Sequence, residues 1–320
     1  MILLTGASGF LGRSVVEVGS NAGVSFRTLG RTESGLDNHV EFDLATGEVP
    51  DQAMTDVNTV IHCAGLAHQF GSAGSARERF FAVNADGTER IVKSAVSNQV
   101  ANIVIVSSMS VYGPGANARA ESDPCDPQGH YAESKYEAER RAIAVVKQSG
   151  SRLAILRMAT LYGDGDQGNV NRLIQAIDKG RFMLVGECKN EKNLLFRTDA
   201  AEACLLAASK TVQNQVSVYN VAADPVTMLD VVQGICRHLN RRLPMKIPSV
   251  VVGGLKHFSS LLGNRGPIGR IQDSVTKFTR SDTIDGSSFI KEFSFQPKVS
   301  LDEGLRRQVL QFQQQQRSRT

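Results

Sequence analysis

Short apolar runs alternate with amphipathic stretches through the first half of the chain. Ile2–Thr5, Val24–Leu29, Thr59–Cys63, Ile103–Ser107 and Leu153–Leu156 have the length and composition of buried strands. Between them, Leu11–Ser20, Ala82–Ser97 and a long stretch from Tyr131 to about Gln148 repeat apolar positions at helical spacing. Gly150 suits a left-handed C-cap for the last of these. Strands alternating with helices predict an α/β fold, a doubly wound parallel sheet with helices on both faces.

After about residue 165 the pattern loosens. Gly163–Gly168 is rich in turn residues, Val170–Lys179 and Asp199–Ala208 read as helices, and Leu194–Phe196 reads as a strand. Val216–Val221 reads as a further strand that rejoins the first sheet. The remainder, with prolines at 244, 248, 267 and 297, predicts a smaller α/β substrate-binding lobe interleaved with the main domain. The expected division is 1–165 with parts of 190–225 for the main domain and 166–190 with 226–310 for the lobe. Residues 311–320 read as a polar, frayed tail.

Composition narrows the function classes. The chain has 320 residues with 36 basic and 32 acidic side chains, a net charge of +4. That excess is too small to argue for nucleic acid and suits a small anionic substrate. Arg237, Arg241, Arg242 and Lys246 cluster, which reads as a solvated helix end. Cys63, Cys125, Cys188, Cys204 and Cys236 show no CxxC spacing, so neither a metal site nor a disulfide framework is expected. Reduced thiols and the absence of a leader after Met1 predict a cytoplasmic protein. No stretch reaches the ~20 apolar residues of a transmembrane helix. Val250–Leu262 is apolar and amphipathic; it reads as lobe packing, with a weak peripheral membrane contact as the second reading.

Ile2–Thr5 leads into Gly6-Ala7-Ser8-Gly9-Phe10-Leu11-Gly12 and a helix. Glycines permit a tight turn and close backbone approach to a pyrophosphate, and the helix N-terminus offers unpaired N–H groups. This strand–turn–helix predicts a Rossmann-type dinucleotide site using Gly6, Ser8, Gly9, Phe10, Leu11 and Gly12. After the second strand an acid would hold a ribose 2′-hydroxyl, but the chain reads Leu29-Gly30-Arg31-Thr32. Arg31 offers positive charge for a 2′-phosphate, so NADP(H) is expected over NAD(H). Asp43 and Leu44 are placed at the adenine. Cys63, Ala64 and Gly65 are small residues at a strand end that let backbone pass the cofactor. His62 reads as a packed histidine, since no acid stands at useful spacing.

Tyr131-Ala132-Glu133-Ser134-Lys135 puts a phenol and an ammonium at i and i+4, on one helical face. A tyrosine of pKa ~10 is a poor base at neutral pH, but positive charge nearby favours its phenolate. Lys135 and an oxidised nicotinamide are expected to lower it, making Tyr131 the proton carrier at a substrate hydroxyl. The strand before it ends in Ser107-Ser108-Met109-Ser110-Val111-Tyr112-Gly113, on the side of a parallel sheet where ligands bind.

TGASGFLG at Thr5–Gly12, SSMSVYG at Ser107–Gly113 and YAESK at Tyr131–Lys135 resemble the extended short-chain dehydrogenase/reductases, and within them the NAD-dependent epimerase/dehydratase group. The resemblance implies that Ser108 hydrogen-bonds the reacting oxygen, that Lys135 holds the nicotinamide ribose and that Asn84 supports the site. It also implies that Met109, Ser110, Asn169 and Asn171 meet a nucleotide sugar with Ser108 and Tyr131. Lys192 falls where many relatives place an arginine that grips the diphosphate. Arg157-Met158-Ala159-Thr160-Leu161-Tyr162-Gly163 occupies the place of LRPxxVYG, with methionine for the usual proline. A homodimer packed through two long helices per subunit is a further implication.

The family's 4,6-dehydratases carry an Asp-Glu pair where this chain has Met109 and Ser110. Thioether and hydroxyl cannot serve as acid and base for loss of water. What remains is C4 epimerisation of a UDP-linked hexose, or NADPH-dependent reduction of a UDP-4-keto-6-deoxy-(N-acetyl)hexosamine in surface-polysaccharide synthesis. A non-catalytic NADP-binding regulatory protein is the reading from another class, and the retained Ser108, Tyr131 and Lys135 speak against it.

Overall fold

The computed structural model describes residues 1–31, 38–67, 73–115, 118–210, 214–248 and 280–318. Seven parallel strands form the central sheet: β1 (Ile2–Thr5), β2 (Phe26–Gly30), β3 (His39–Glu41), β4 (Thr59–His62), β5 (Asn102–Ser108), β6 (Arg152–Met158) and β10 (Val216–Val221). Their order is β10-β6-β5-β4-β1-β2-β3. Val216–Val221 therefore does rejoin the first sheet, as an edge strand on β6.

The strands read as continuous apolar runs because both faces are covered. Successive side chains alternate between two cores. Leu4, Ile61, Val104, Ala154 and Leu156 point to one side, where α1 (Phe10–Asn21) and α6 (Arg197–Ser209) pack. Leu3, Val60, Ile103, Ile105, Leu153 and Ile155 point to the other, against α3 (Gly87–Ser97) and α4 (His130–Val146). Alanines at 200, 201, 203, 207 and 208 are all buried, and their small side chains let α6 lie close to the sheet and α1. The chain leaves β1 toward β2 and β3 and then returns to β4 on β1's other side. Such a switch point opens a crevice at the carboxyl ends of the strands.

A third core, including Leu173, Ile174, Val231, Val232, Ile235, Leu305 and Val309, joins α5 (Asn169–Asp178), α7 (Met228–Leu239) and a last helix, α9 (Leu301–Arg317). Two small sheets accompany it. One holds β7 (Thr160–Tyr162), β9 (Glu191–Phe196) and β11 (Pro225–Thr227); the other pairs β8 (Leu184–Val185) with β12 (Lys246–Ile247). Helix α8 (Ser287–Phe293) returns to the β10 edge, where Phe289, Phe293 and Phe295 are buried.

Three expectations change. The helix expected over Ala82–Ser97 begins as a π-helical stretch, Phe81–Asp86, that follows α2 (Ala73–Phe80) and runs into α3. The second strand starts at Phe26, two residues late. The tail is not frayed at Gln311: α9 continues through Arg317, Phe312 is buried, and Gln311 accepts a hydrogen bond from the Gly165 backbone. The amphipathic stretch Val250–Leu262 lies outside the described residues. No described helix is long and apolar enough to cross a membrane.

Candidate active site

The glycine turn is built by close contact. Gly6 sits at φ +74°, a left-handed conformation that favours glycine, and a Cβ there would stand 2.7 Å from the backbone N and Cα of Ala64. A Cβ on Gly12 would lie 1.9 Å from the Gly6 carbonyl oxygen, so the turn fits only a bare helix start. The N-cap of α1 is Gly9, with no side chain occupying the helix end, so its first N–H groups face the crevice. Cys63, Ala64 and Gly65 follow β4 directly and lie beside this turn. These residues fit a dinucleotide pyrophosphate: a bare helix N-terminus, a backbone-only turn and a small-residue wall.

His62 is a structural residue, as its spacing suggested. Thr88 Oγ1 donates to the Asn84 carbonyl at 2.6 Å, so it accepts from His62 Nε2–H at 2.9 Å. The other ring nitrogen then accepts from Thr5 Oγ1 at 2.6 Å. Burial, with the charge of Lys135 as a second cause, lowers its pKa to about 3 and keeps it neutral.

Asn84 lies on the π-helical stretch and is fully engaged. Its Oδ1 accepts from the Leu66 backbone at 2.7 Å, and its Nδ2 donates to the Leu66 carbonyl and to Ser134 Oγ, each at 3.0 Å. It ties the loop after β4 to the first turn of α4. A single extra residue in a helix, the hallmark of a π stretch, aims such a side chain where a regular helix would not.

Tyr131, Lys135 and Glu139 occupy one face of α4 at i, i+4 and i+8. Ser108, at the end of β5, lies close enough to the Tyr131 phenol to oppose a burial that raises its pKa. The expected depression by Lys135 is absent from the chain by itself, because desolvation dominates. Lys135 Nζ donates to the Val106 carbonyl at 2.5 Å and is buried, 7% exposed. Burial lowers its pKa to about 8, while Glu139 and then Cys63 act to raise it.

Beneath this pair lies a network whose depth spacing alone did not reveal. Arg157 Nη2 meets Glu139 Oε2 at 2.7 Å with both side chains nearly fully buried, and Ser107 donates to the same carboxylate. Arg157 Nη1 donates to the Tyr112 hydroxyl at 3.0 Å, which donates to Asn220 Oδ1 on β10 at 2.7 Å. Glu139 was legible as the next residue on the Tyr131–Lys135 face, and Arg157 as the arginine of the LRPxxVYG position.

Met109 and Ser110 form a short 3₁₀ turn after Ser108, and Ser110 N–H donates to Ser108 Oγ at 3.2 Å. Ser110 Oγ is buried and has no hydrogen-bond partner among the described residues. Met109 lines a shallow, open depression together with Arg119, Asp282 and Thr283. Lys192 Nζ is paired with Asp282 at 2.8 Å, and Arg280 also reaches Asp282, at 2.7 Å. Two cations thus share one carboxylate, and Arg280 and Arg119 are residues the sequence reading did not single out. Asn169 and Asn171 open α5, where Asp166 accepts from the Asn171 backbone at 3.2 Å. No described hydrogen bond joins them to Ser108 or Tyr131. Asp43 turns its carboxylate onto the Ala45 backbone at 2.9 Å, Leu44 packs beside Gly87, and Arg31 is exposed at the end of β2.

Residues 2–222 match the NAD dependent epimerase/dehydratase family. The chain belongs to this family. By that description its members take a nicotinamide cofactor, and the chain is an enzyme of this type. Over 98% of its length it is 27% identical to the N-acetyl-alpha-D-glucosaminyl-diphospho-ditrans,octacis-undecaprenol 4-epimerase of Escherichia coli O157:H7, covering 95% of that protein. It is 24% identical to the UDP-glucose 4-epimerase of Vibrio cholerae, over 98% of this chain and 95% of the other. Among solved structures, MoeE5 in complex with UDP-glucuronic acid and NAD superposes with a TM-score of 0.77 at 25% identity, covering 98% of this chain and 99% of that one.

Proposed function

We propose that this enzyme interconverts C4 epimers of a UDP-linked hexose, with Tyr131 moving the proton that accompanies hydride transfer. The observation that carries the reading is the meeting of Ser108 and Tyr131 beside the buried ammonium of Lys135. Relatives that act on a diphosphate-linked sugar at C4 support it.

The turn Gly6–Gly12 and the start of α1, with Ser8, Phe10 and Leu11, hold the pyrophosphate; Asp43 and Leu44 lie toward the adenine, and Cys63–Gly65 and Asn84 toward the nicotinamide end. Lys135 holds the ribose. A nicotinamide dinucleotide held there would supply the hydride chemistry at C4. Ser108 holds the C4 oxygen and passes its position to Tyr131. Tyr131 takes the hydroxyl proton as the carbonyl forms and gives it back as the alcohol reforms. Lys135 and, when bound, an oxidised nicotinamide would together favour the phenolate on which both transfers depend. Ser110, whose hydroxyl lacks a partner among the described residues, and Met109 take the sugar; Asn169, Asn171 and the Lys192–Asp282–Arg280 group face the nucleotide diphosphate. Lys192 brings a charge already shared with Asp282, so the grip falls to the group and not to that lysine alone.

The second reading is the NADPH-dependent 4-keto-sugar reductase. Arg31 after Gly30 favours it and a 2′-phosphate, whereas the MoeE5 complex with NAD favours NAD(H). The test is to identify the dinucleotide that copurifies and to follow UDP-glucose and UDP-N-acetylglucosamine by NMR without added cofactor. Retained NAD+ with both C4 epimers formed fits the epimerase; an empty protein turning over only with added NADPH and a 4-keto sugar replaces it. A cytoplasmic homodimer belongs to the same proposal.

A further inference from the structure

The loop Gly163–Gly168 leaves β7 and enters α5, and the last helix, α9, braces it. A Cβ on Gly304 would stand 2.4 Å from the Tyr162 hydroxyl oxygen, so α9 lies in direct contact with the end of β7. About one turn further on, Gln308 is buried, 3% exposed, and both ends of its amide are used. Its Oε1 accepts from the Gly163 N–H at 3.2 Å, and its Nε2 donates to Asp166 Oδ2 at 3.0 Å. Gln311 Oε1 accepts from the Gly165 N–H.

The same loop meets the first turn of α1. A Cβ on Gly165 would lie 3.4 Å from Arg13 Nη2 and 4.0 Å from the Phe10 ring. Arg13 in turn donates to the Ser8 carbonyl of the glycine turn at 2.7 Å. Asp166 carries the arrangement into α5, its carboxylate accepting from the Gly168 N–H at 2.5 Å and the Asn171 N–H at 3.2 Å. A chain of contacts thus runs from the dinucleotide turn through the loop to the start of α5.

Apolar contact alone would seat α9, and Leu305, Val309 and Phe312 supply it. A buried amide costs free energy unless it is bonded, and its bonds are directional where apolar packing is not. The glutamines therefore fix where the loop runs. We propose that Gln308 and Gln311 are positioning residues for the nucleotide sugar: through Asp166 and Gly165 they hold the start of α5, with Asn169 and Asn171, in register with the dinucleotide turn. The inference rests on the reading above that Asn169 and Asn171 face the nucleotide diphosphate. Dinucleotide binding should be spared, because the turn Gly6–Gly12 is closed by its own contacts and by Ala64.

Calorimetric titration of the full chain, saturated with its dinucleotide, against UDP tests it. The parent should bind UDP. Gln308→Glu keeps an acceptor for the Gly163 N–H but sets a second carboxylate against Asp166. It should weaken UDP binding about tenfold, with dinucleotide affinity and circular dichroism those of the parent. Gln311→Ala, at a half-buried position, should act in the same direction. Gln308→Glu combined with Asp166→Asn puts a donor back between the two side chains and should recover most of the affinity. UDP binding equal to the parent's in both single variants overturns the inference and leaves the nucleotide-sugar reading standing. So does a loss shared equally by the dinucleotide, or one that the double variant does not recover. A parent that binds dinucleotide but no UDP removes that reading, and this inference with it.

Discussion

The ammonium of Lys135 reaches across from α4 to the carbonyl of Val106, two residues before Ser108 on β5. One hydrogen bond thus fixes the distance between the helix that carries Tyr131 and the strand that carries Ser108. It also explains why burial does not remove the lysine from the site: its charge is held by a fixed dipole and by Glu139 below.

Tyr131→Phe removes the hydroxyl proposed as the proton carrier and leaves the ring packing against Phe80. Turnover should fall by about 10²–10⁴-fold while the copurified dinucleotide is retained. Turnover equal to the parent in an NMR epimerisation assay would exclude the mechanism.

Lys135 has a pKa of about 8, lowered by burial. A lysine is charged below its pKa, so the site is complete on the acid side and loses the cation as pH rises through about 8. The kcat should decline above that value, and Lys135→Met should lower kcat and weaken dinucleotide retention together.

His62 titrates near 3 in the folded chain and near its ordinary value when unfolded. Between those values the unfolded chain binds the extra proton, so stability is present above about 6.5 and is lost as pH falls, by up to about 1.4 kcal/mol per unit. Urea midpoints from pH 7 to pH 5 should show this slope, and a His62→Asn variant should flatten it.

Arg157→Met strands the Glu139 carboxylate in the core and should cost about 3–5 kcal/mol of stability. Arg157→Met combined with Glu139→Leu should recover part of that loss. Equal losses for the single and the double variant, by chemical denaturation, would show that the pair contributes only through packing.

Gly12→Ala places a methyl group against the Gly6 carbonyl oxygen. Dinucleotide should no longer copurify, whereas Gly30→Ala, with open space around its Cα, should be tolerated.

The main sheet was legible because each long strand, such as Ile103–Ser107 or Leu153–Leu156, is a buried apolar run bounded by turn residues. Ser108, Tyr131 and Lys135 were legible because a strand end and an i, i+4 helical spacing place them without reference to the rest of the chain. Of the small sheets only Leu194–Phe196, the end of β9, was legible; strands of two or three residues such as Leu184–Val185 carry too little periodicity. The last helix was hidden by its run of glutamines; its apolar positions, Leu305, Val309 and Phe312, recur at helical spacing but are too few to dominate. The pairing of Lys192 with Asp282 joins residues 90 positions apart, which no local pattern reports.

The buried bond between Glu139 and Arg157 makes the seating of α4 on the sheet all-or-none. A slip of one helical turn, about 5.4 Å, would leave two unpaired charges in the core. The helix that carries Tyr131 and Lys135 therefore cannot ratchet to suit a longer or bulkier ligand. Any broadening of ligand range in this scaffold has to be sought in the turn after Ser108, where the contact of Ser110 with Ser108 is local and a neighbour can move without stranding a buried charge.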